Sequence, residues 1–218
     1  MSTTFHIRLA SLAAKDNERF LAFVDSQLPW LESVGSGGQW GSTPRGNVEA
    51  SQKKAFTRVQ KSEACEGKPY SSYWGRAYVL EAEVDVDSLS DEVKQLSGPP
   101  NENGRVRVPV AGMVLESTSA DYVRSILPEI DEKSPFLYLF FLASDRRTSS
   151  INKGSGAFLI NHAKEEATRL GIRRIAGDCW TGNGRKLVQF YESQGFKSIE
   201  DFEAGDQKWP GTVFEMRI

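Results

Sequence analysis

Two stretches of this chain combine residue types and spacings that can do chemistry. The first, LASDRRTSSINKGSGAFL at residues 142–159, passes from an apolar segment through a polar turn into a helical pattern that opens on Gly154 and Gly156. With no Cβ at those two positions, a ligand can lie close against the backbone. The unpaired N–H groups of a helix's first turn and the helix dipole together attract an anion. Lys153, Arg146 and Arg147 add positive charge beside it. An ordinary glycine-rich turn with surface basic residues has the same pattern. Two nucleotide motifs are excluded, because GxxxxGK[ST] is absent and Leu159 stands where the dinucleotide fingerprint has its third glycine.

The second stretch, DCWTGNGRKLVQFYESQGF at residues 178–196, reads as a strand end, a turn and a helix. Tyr191 shares a helix face with Leu187 and Val188, the position of an aromatic core residue. Its phenol, with an ordinary pKa near 10, is also a proton donor at neutral pH. Asp178 closes one strand and Glu116 another, so either carboxylate could act as a general base or be a solvated or capping group. Cys179 has no partner base in sight to make it a nucleophile. His6, on a first strand, and His162, on the polar side of a helix, read as surface or structural histidines.

In this order, separated by one helix and one strand, the two motifs resemble those of the GNAT superfamily of acetyl-CoA-dependent N-acetyltransferases. That family carries [Q/R]xxGx[G/A] at the start of the helix after its fourth strand. Here the element is INKGSG, with Gly154 and Gly156 matching and Ile151 in the Gln/Arg position. The family's YxxxGF block after the fifth strand is matched by Tyr191, Gly195 and Phe196. Asn183 lies one residue further from the tyrosine than is usual. The closest likeness is to the branch with a DCWxG segment before that helix. Resemblance spans residues 106–196, and residues 1–104 carry little of it.

The resemblance implies a mixed α/β (α+β), mostly antiparallel central sheet with helices on both faces, and a fourth and a fifth strand that splay apart. It implies acetyl-CoA as co-substrate, no metal, and transfer of acetyl to the primary amine of a small molecule by direct attack in a ternary complex. Leu142, Ala143 and Ser144 would pair with pantetheine and polarise the thioester carbonyl. Lys153, Gly154, Ser155, Gly156 and Ala157 would hold the pyrophosphate, and Asn183 would join the cofactor site. Tyr191 matches the general acid that protonates the departing sulfur. The base would be Asp178, Glu116 or a water chain. A non-catalytic acyl-CoA-binding module, and an acetyltransferase for protein lysines or N-termini, are the alternatives.

Periodicity supplies the elements that must position these residues. FHIRLA is a strand, and a helix follows, capped by Asp16 or Asn17 and ended by Pro29. Residues 33–47 read as an ordered loop around Trp40, and residues 48–63 as a polar helix. WGRAYVLEAEVDVDS is a strand with Ala77 and Val79 on one side and Tyr78, Leu80 and Ala82 on the other. Residues 89–104 read as a loop. VRVPVAGMVLES, which contains Pro109 and Gly112, reads as an edge or bulged strand, and residues 120–127 as a linker-like helix. FLYLFFLA, apolar on both faces, is a strand buried between layers. Residues 154–171 form a helix stopped by Gly171, and strand, helix, strand and strand complete one domain over 1–218. The loop at 199–211, with Glu200, Asp201, Glu203, Asp206 and Trp209, could face a cationic acceptor or be a solvated hairpin.

Composition excludes other classes. Net charge is −2 over 218 residues, no footprint for nucleic acid. FLYLFFLA is the longest apolar run, far short of the ~20 residues that span a bilayer. Two cysteines in a chain with no visible signal peptide suit a soluble, cytoplasmic protein with reduced thiols. A homodimer is compatible with all of this.

Overall fold

The computed structural model describes residues 3–127 and 134–218. Among these residues seven strands form one sheet in the order β1-β2-β3-β4-β5-β7-β6. They are β1 (Thr4–Leu9), β2 (Gly75–Asp85), β3 (Arg105–Glu116), β4 (Leu137–Ser144), β5 (Arg174–Trp180), β6 (Lys197–Ala204) and β7 (Trp209–Arg217). Neighbours are antiparallel except β4 and β5, which run parallel. Helices α1 (Asp16–Ser33) and α2 (Glu49–Ala64) precede β2, and the one-turn α3 (Asp91–Lys94) lies between β2 and β3. α4 (Ser155–Arg169) follows β4, and α5 (Gly182–Ser193) follows β5. Among the described residues no helix is long and apolar enough to cross a membrane.

β2 shows why both faces are covered. Its alternation sends Ala77 and Val79 against Phe20 and Phe23 of α1 and Val59 of α2. Tyr78, Leu80 and Ala82 point the other way, into a cluster with Leu159, Ile160 and Ala163 of α4 and Val188 and Tyr191 of α5. A sheet apolar on both sides needs a helical layer on each. Each fully buried Leu, Ile, Val or Phe side chain contributes about 1.5–3 kcal/mol.

Several expectations are corrected. Pro29 does not end α1, which continues to Ser33, because buried Leu28 and Leu31 carry the packing face past it. Neither Asp16 nor Asn17 caps that helix. Lys15 is the N-cap, and the wholly buried Asp16 carboxylate accepts from Arg8 Nη1 (2.6 Å), Arg19 Nε (2.9 Å) and the Ser11 N–H (2.9 Å). β3 is bulged as expected but lies inside the sheet. Leu80 pairs with Ala111 and Glu81 with Pro109, so Val110 is the extra residue and the proline sits where the ladder is interrupted. Residues 120–127 hold only a 3₁₀ turn at Asp121–Val123, and residues 89–104 contain the short α3.

The arrangement that matters most lies between β4 and β5. They pair only at Leu137–Ile175, Tyr138–Ala176 and Leu139–Gly177. Beyond that β4 stays with β3 as far as Ser144, and β5 stays with β7 through Trp180. A bulge at Phe140, between the Leu115–Leu139 and Val114–Phe141 pairs, turns β4 away. The two strands splay as the resemblance implied.

Candidate active site

The splay leaves a slot whose walls come from both faces of the sheet. The Asp145 N–H donates to Val110 O (2.7 Å). Strand alternation therefore turns the Ala143 N–H towards β3, and those of Leu142 and Ser144 into the gap. Gln27 of α1 donates to Ser144 O (2.6 Å), fixing the end of β4.

At the far end of the slot α4 begins on Gly154, whose φ of +87° is left-handed and favours glycine. No side chain caps this helix, and its first internal bond runs from the Phe158 N–H to Gly154 O (3.0 Å). The N–H groups of Ser155, Gly156 and Ala157 are thus left to the dipole end. A Cβ on Gly156 would stand 3.1 Å from Phe190 of α5, so the glycine lets the two helices close against each other. Lys153, Gly154, Ser155 and Gly156 line one cavity of about 300 Å³ together with Leu142, Ala143, Ser144 and Tyr191. Ala157 lies one residue further along the turn and does not line it. Arg147 is taken up by Asp145 (2.7 Å), and Arg146 lies over the Trp30 ring, 3.7 Å from its centroid.

Tyr191 reaches the slot from the α5 side. Its ring stacks on Phe214, with centroids 4.2 Å apart, and meets Phe190 and Phe196 edge-on. Among the described residues its hydroxyl has no hydrogen-bond partner. Burial, reinforced by the nearby Cys179 and Asp178, pushes its phenol well above the ordinary value and keeps it protonated. Burial also pushes the Cys179 thiol up to about 12, so that sulfur is no nucleophile at neutral pH.

Asp178 enters from the opposite face. It lies on the same side of β5 as Ala176, which packs with Tyr138. Its carboxylate accepts from the hydroxyls of Tyr138 and of Tyr122 (3.1 Å). Burial raises its pKa above the ordinary carboxylate range, against the two phenol hydrogen bonds. Asp178, Tyr122, Tyr191 and the β4 residues Leu139, Phe140, Phe141 and Leu142 line a cavity of about 710 Å³. Of the two candidate bases, Asp178 is brought to Tyr191 and Glu116 is not. Glu116 is clamped by Lys61 (2.6 Å) and Arg58 (3.3 Å) of α2 and lines no part of that cavity.

Asn183 has φ 51° and begins a left-handed turn with Gly184 and Arg185. Its Nδ2 donates to Val34 O (3.0 Å) and Ser36 Oγ (2.7 Å), so the amide ties the end of α1 to α5. It lines a cavity shared with Leu142 and Ser144 that Tyr191 does not line. The acidic residues of 199–211 are not gathered at the site. Glu200, Asp201 and Glu203 are exposed on strand β6 and Asp206 in the turn after it, while Asp201 pairs with Arg185 (2.6 Å). From that region only Ala204, Gly205 and Trp209 face the large cavity. His6 pairs with Glu83 (2.9 Å) and His162 meets the Tyr78 ring edge-on, both outside it. Among the described residues no three His, Cys, Asp or Glu side chains are grouped to hold a metal.

Tyr122 and Tyr138, the two donors to Asp178, were missed in the sequence. A tyrosine inside an otherwise apolar buried strand was the available signal for Tyr138, because a buried phenol needs a partner.

Solved structures share this fold. An acetyltransferase of the GNAT family from Listeria monocytogenes is 16% identical with a TM-score of 0.57, covering 100% of this chain and 99% of its own. A Salmonella typhimurium protein described as an acetyltransferase, solved with acetyl-CoA, is 14% identical with a TM-score of 0.53, covering 98% of this chain and 93% of its own. The ribosomal-protein-alanine N-acetyltransferase of Brucella melitensis is 14% identical with a TM-score of 0.55, covering 98% and 99%. No protein-family model matches the sequence, and no curated protein does. The chain has the fold of the GNAT acetyltransferases.

Proposed function

We propose that this chain is an acetyl-CoA-dependent N-acetyltransferase acting on a primary amine of a small molecule by direct attack in a ternary complex. One observation carries the reading: Tyr191 and Asp178 reach a single cavity from opposite faces of the sheet, at the gap between β4 and β5. The residues present fit the co-substrate. An extended, amide-bearing arm suits the free N–H groups of Leu142 and Ser144, and a pyrophosphate suits the uncapped start of α4 beside Lys153.

The bound thioester supplies an acyl carbon open to attack. The N–H groups of β4 that face the gap hold its carbonyl oxygen and stabilise negative charge there. Asp178, held by Tyr138 and Tyr122, takes a proton from the acceptor ammonium, and its raised pKa suits that role. As the C–N bond forms the nitrogen gives up a second proton to solvent, and as the C–S bond breaks Tyr191 gives its phenolic proton to the sulfur and regains one from solvent. The products are an N-acetylated amine, free CoA and a proton.

The test is release of free thiol from acetyl-CoA across a panel of amines, with CoA binding followed by thermal shift. Binding without release under any acceptor would favour the non-catalytic acyl-CoA module. Neither binding nor release would overturn the co-substrate as well.

A further inference from the structure

The large cavity holds two positive charges that acetyl transfer itself does not require. Besides Asp178 its ionisable lining includes Arg45 and Lys54, with Trp40, Tyr122 and Trp209 as aromatic walls. Arg45 is held in place. Its backbone N–H and that of Gly46 donate to the Asp25 carboxylate (2.5 and 3.0 Å), and its Nη2 donates to Trp40 O (2.7 Å). Among the described residues no carboxylate pairs with its guanidinium. Lys54 has no ion-pair partner there either, whereas Arg58 and Lys61 further along α2 are both committed to Glu116.

A half-buried, positioned guanidinium without a counter-ion is an oxyanion receptor, and a guanidinium meets a carboxylate in two parallel hydrogen bonds. In the same cavity Asp178 is the carboxylate available to an ammonium. Resting on the acetyl-transfer reading, we infer that the acceptor is a zwitterionic amine of the amino-acid type: its ammonium faces Asp178, its carboxylate faces Arg45 and Lys54, and its side chain lies against the aromatic walls. The acidic residues at 200–206, which could have offered a cationic acceptor further carboxylates, do not line the cavity.

The experiment compares L-amino acids with their decarboxylated amines, such as L-tryptophan with tryptamine, at fixed acetyl-CoA. A charge-assisted contact should give the amino acid about a ten- to hundredfold higher kcat/KM for the acceptor. Arg45→Gln should raise the amino acid's KM at least tenfold and remove most of that preference. Arg45→Lys should restore part of it, and the Kd of CoA serves as the control for folding. Calorimetric titration of L-tryptophan into the CoA-bound protein reads the same contact without turnover and should weaken equally in Arg45→Gln.

Turnover of amines with no preference for the carboxylate, or a preference that survives Arg45→Gln and Lys54→Gln together, overturns the inference and leaves acetyl transfer standing. Amino-acid binding that depends on Arg45 without thiol release supports this acceptor class and overturns the catalytic reading. Absence of both overturns both.

Discussion

Tyr191→Phe separates the two roles open to this residue, because it keeps the packed ring and removes only the hydroxyl. The ring keeps its stack on Phe214 at 4.2 Å and its edge contacts with Phe196 (5.8 Å) and Phe190 (5.3 Å) in the variant. The hydroxyl has no protein hydrogen-bond partner to abandon among the described residues. Stability should therefore stay within about 0.5 kcal/mol of the parent. If the hydroxyl protonates the departing sulfur, kcat should fall by roughly 10²–10⁴. That is about 2.7–5.4 kcal/mol of barrier at about 1.36 kcal/mol per decade. Thiol release under saturating acetyl-CoA and acceptor reads the rate, and a thermal melt with and without CoA reads folding and binding. Tyr191→Ala is the contrast: losing the ring should cost about 3–5 kcal/mol, a drop of roughly 6–20 °C in Tm for a chain of this size. A Phe variant that keeps its full kcat would refute proton donation by Tyr191, and water would be the acid.

The remaining expectations follow from the same geometry. Asp178→Asn should abolish most turnover and the acid limb of the pH–rate profile. That limb should lie above the ordinary carboxylate value of 3.8, since burial raises this carboxyl. A raised folded-state pKa means the ionised form is disfavoured on folding, so stability from this group is full below pH 3.8 and is lost as pH rises through the raised value; Tm at pH 7 should not fall in the Asn variant. Gly154→Val forces a β-branched residue into φ +87° at about 1–3 kcal/mol and should raise the Kd of CoA on the order of tenfold. Asp16→Asn removes a wholly buried carboxylate, leaving Arg8 with Glu81 alone and Arg19 with no carboxylate among the described residues, and should destabilise by about 1–3 kcal/mol in a denaturant titration. Asp16 has a lowered pKa, so its contribution is present above pH 3.8 and is lost as pH falls through the folded value; parent and variant should converge at acid pH.

Local chemistry made the strands, the long helices and the two motif-bearing junctions legible in the sequence. Alternation at residues 77–82 assigned the two faces of β2, and Gly154 and Gly156 marked the start of α4. Neighbours remote in the chain were not legible. Asp16 stands at the start of a helix, where a cap is expected, yet Arg8, across the turn from it, recruits the carboxylate. Pro29 removes one donor, but buried Leu28 and Leu31 outweigh it. Glu116 looked as able to serve as a base as Asp178, and only the packing of α2 over β3 shows that Lys61 and Arg58 hold it. Arg45 and Lys54 fall in a loop and a polar helix with no local mark. Asp25, 20 residues upstream of Arg45, brings that loop to the site.

Why the gap opens where it does follows from the pairing of its two edges. β4 is held by β3 from Glu116–Tyr138 to Ala111–Ser144, and β5 by β7 over Arg174–Trp180, each pair twisting about its own axis. Three parallel pairs between β4 and β5 cannot make the two halves follow a common twist, and the Phe140 bulge adds a local turn in β4. The outcome is a sheet edge in the middle of a sheet, with donors at Leu142 and Ser144 that no strand satisfies. Backbone groups in such a place are paired by some partner, and an extended ligand carrying its own amides is one. On the proposed reading, a ligand lying between the strands would meet the α5 face on one side, where Tyr191 stands, and the opposite face of the sheet on the other, where Asp178 stands beside Tyr138. That separation would keep a proton donor for the leaving group apart from the acceptor and its base.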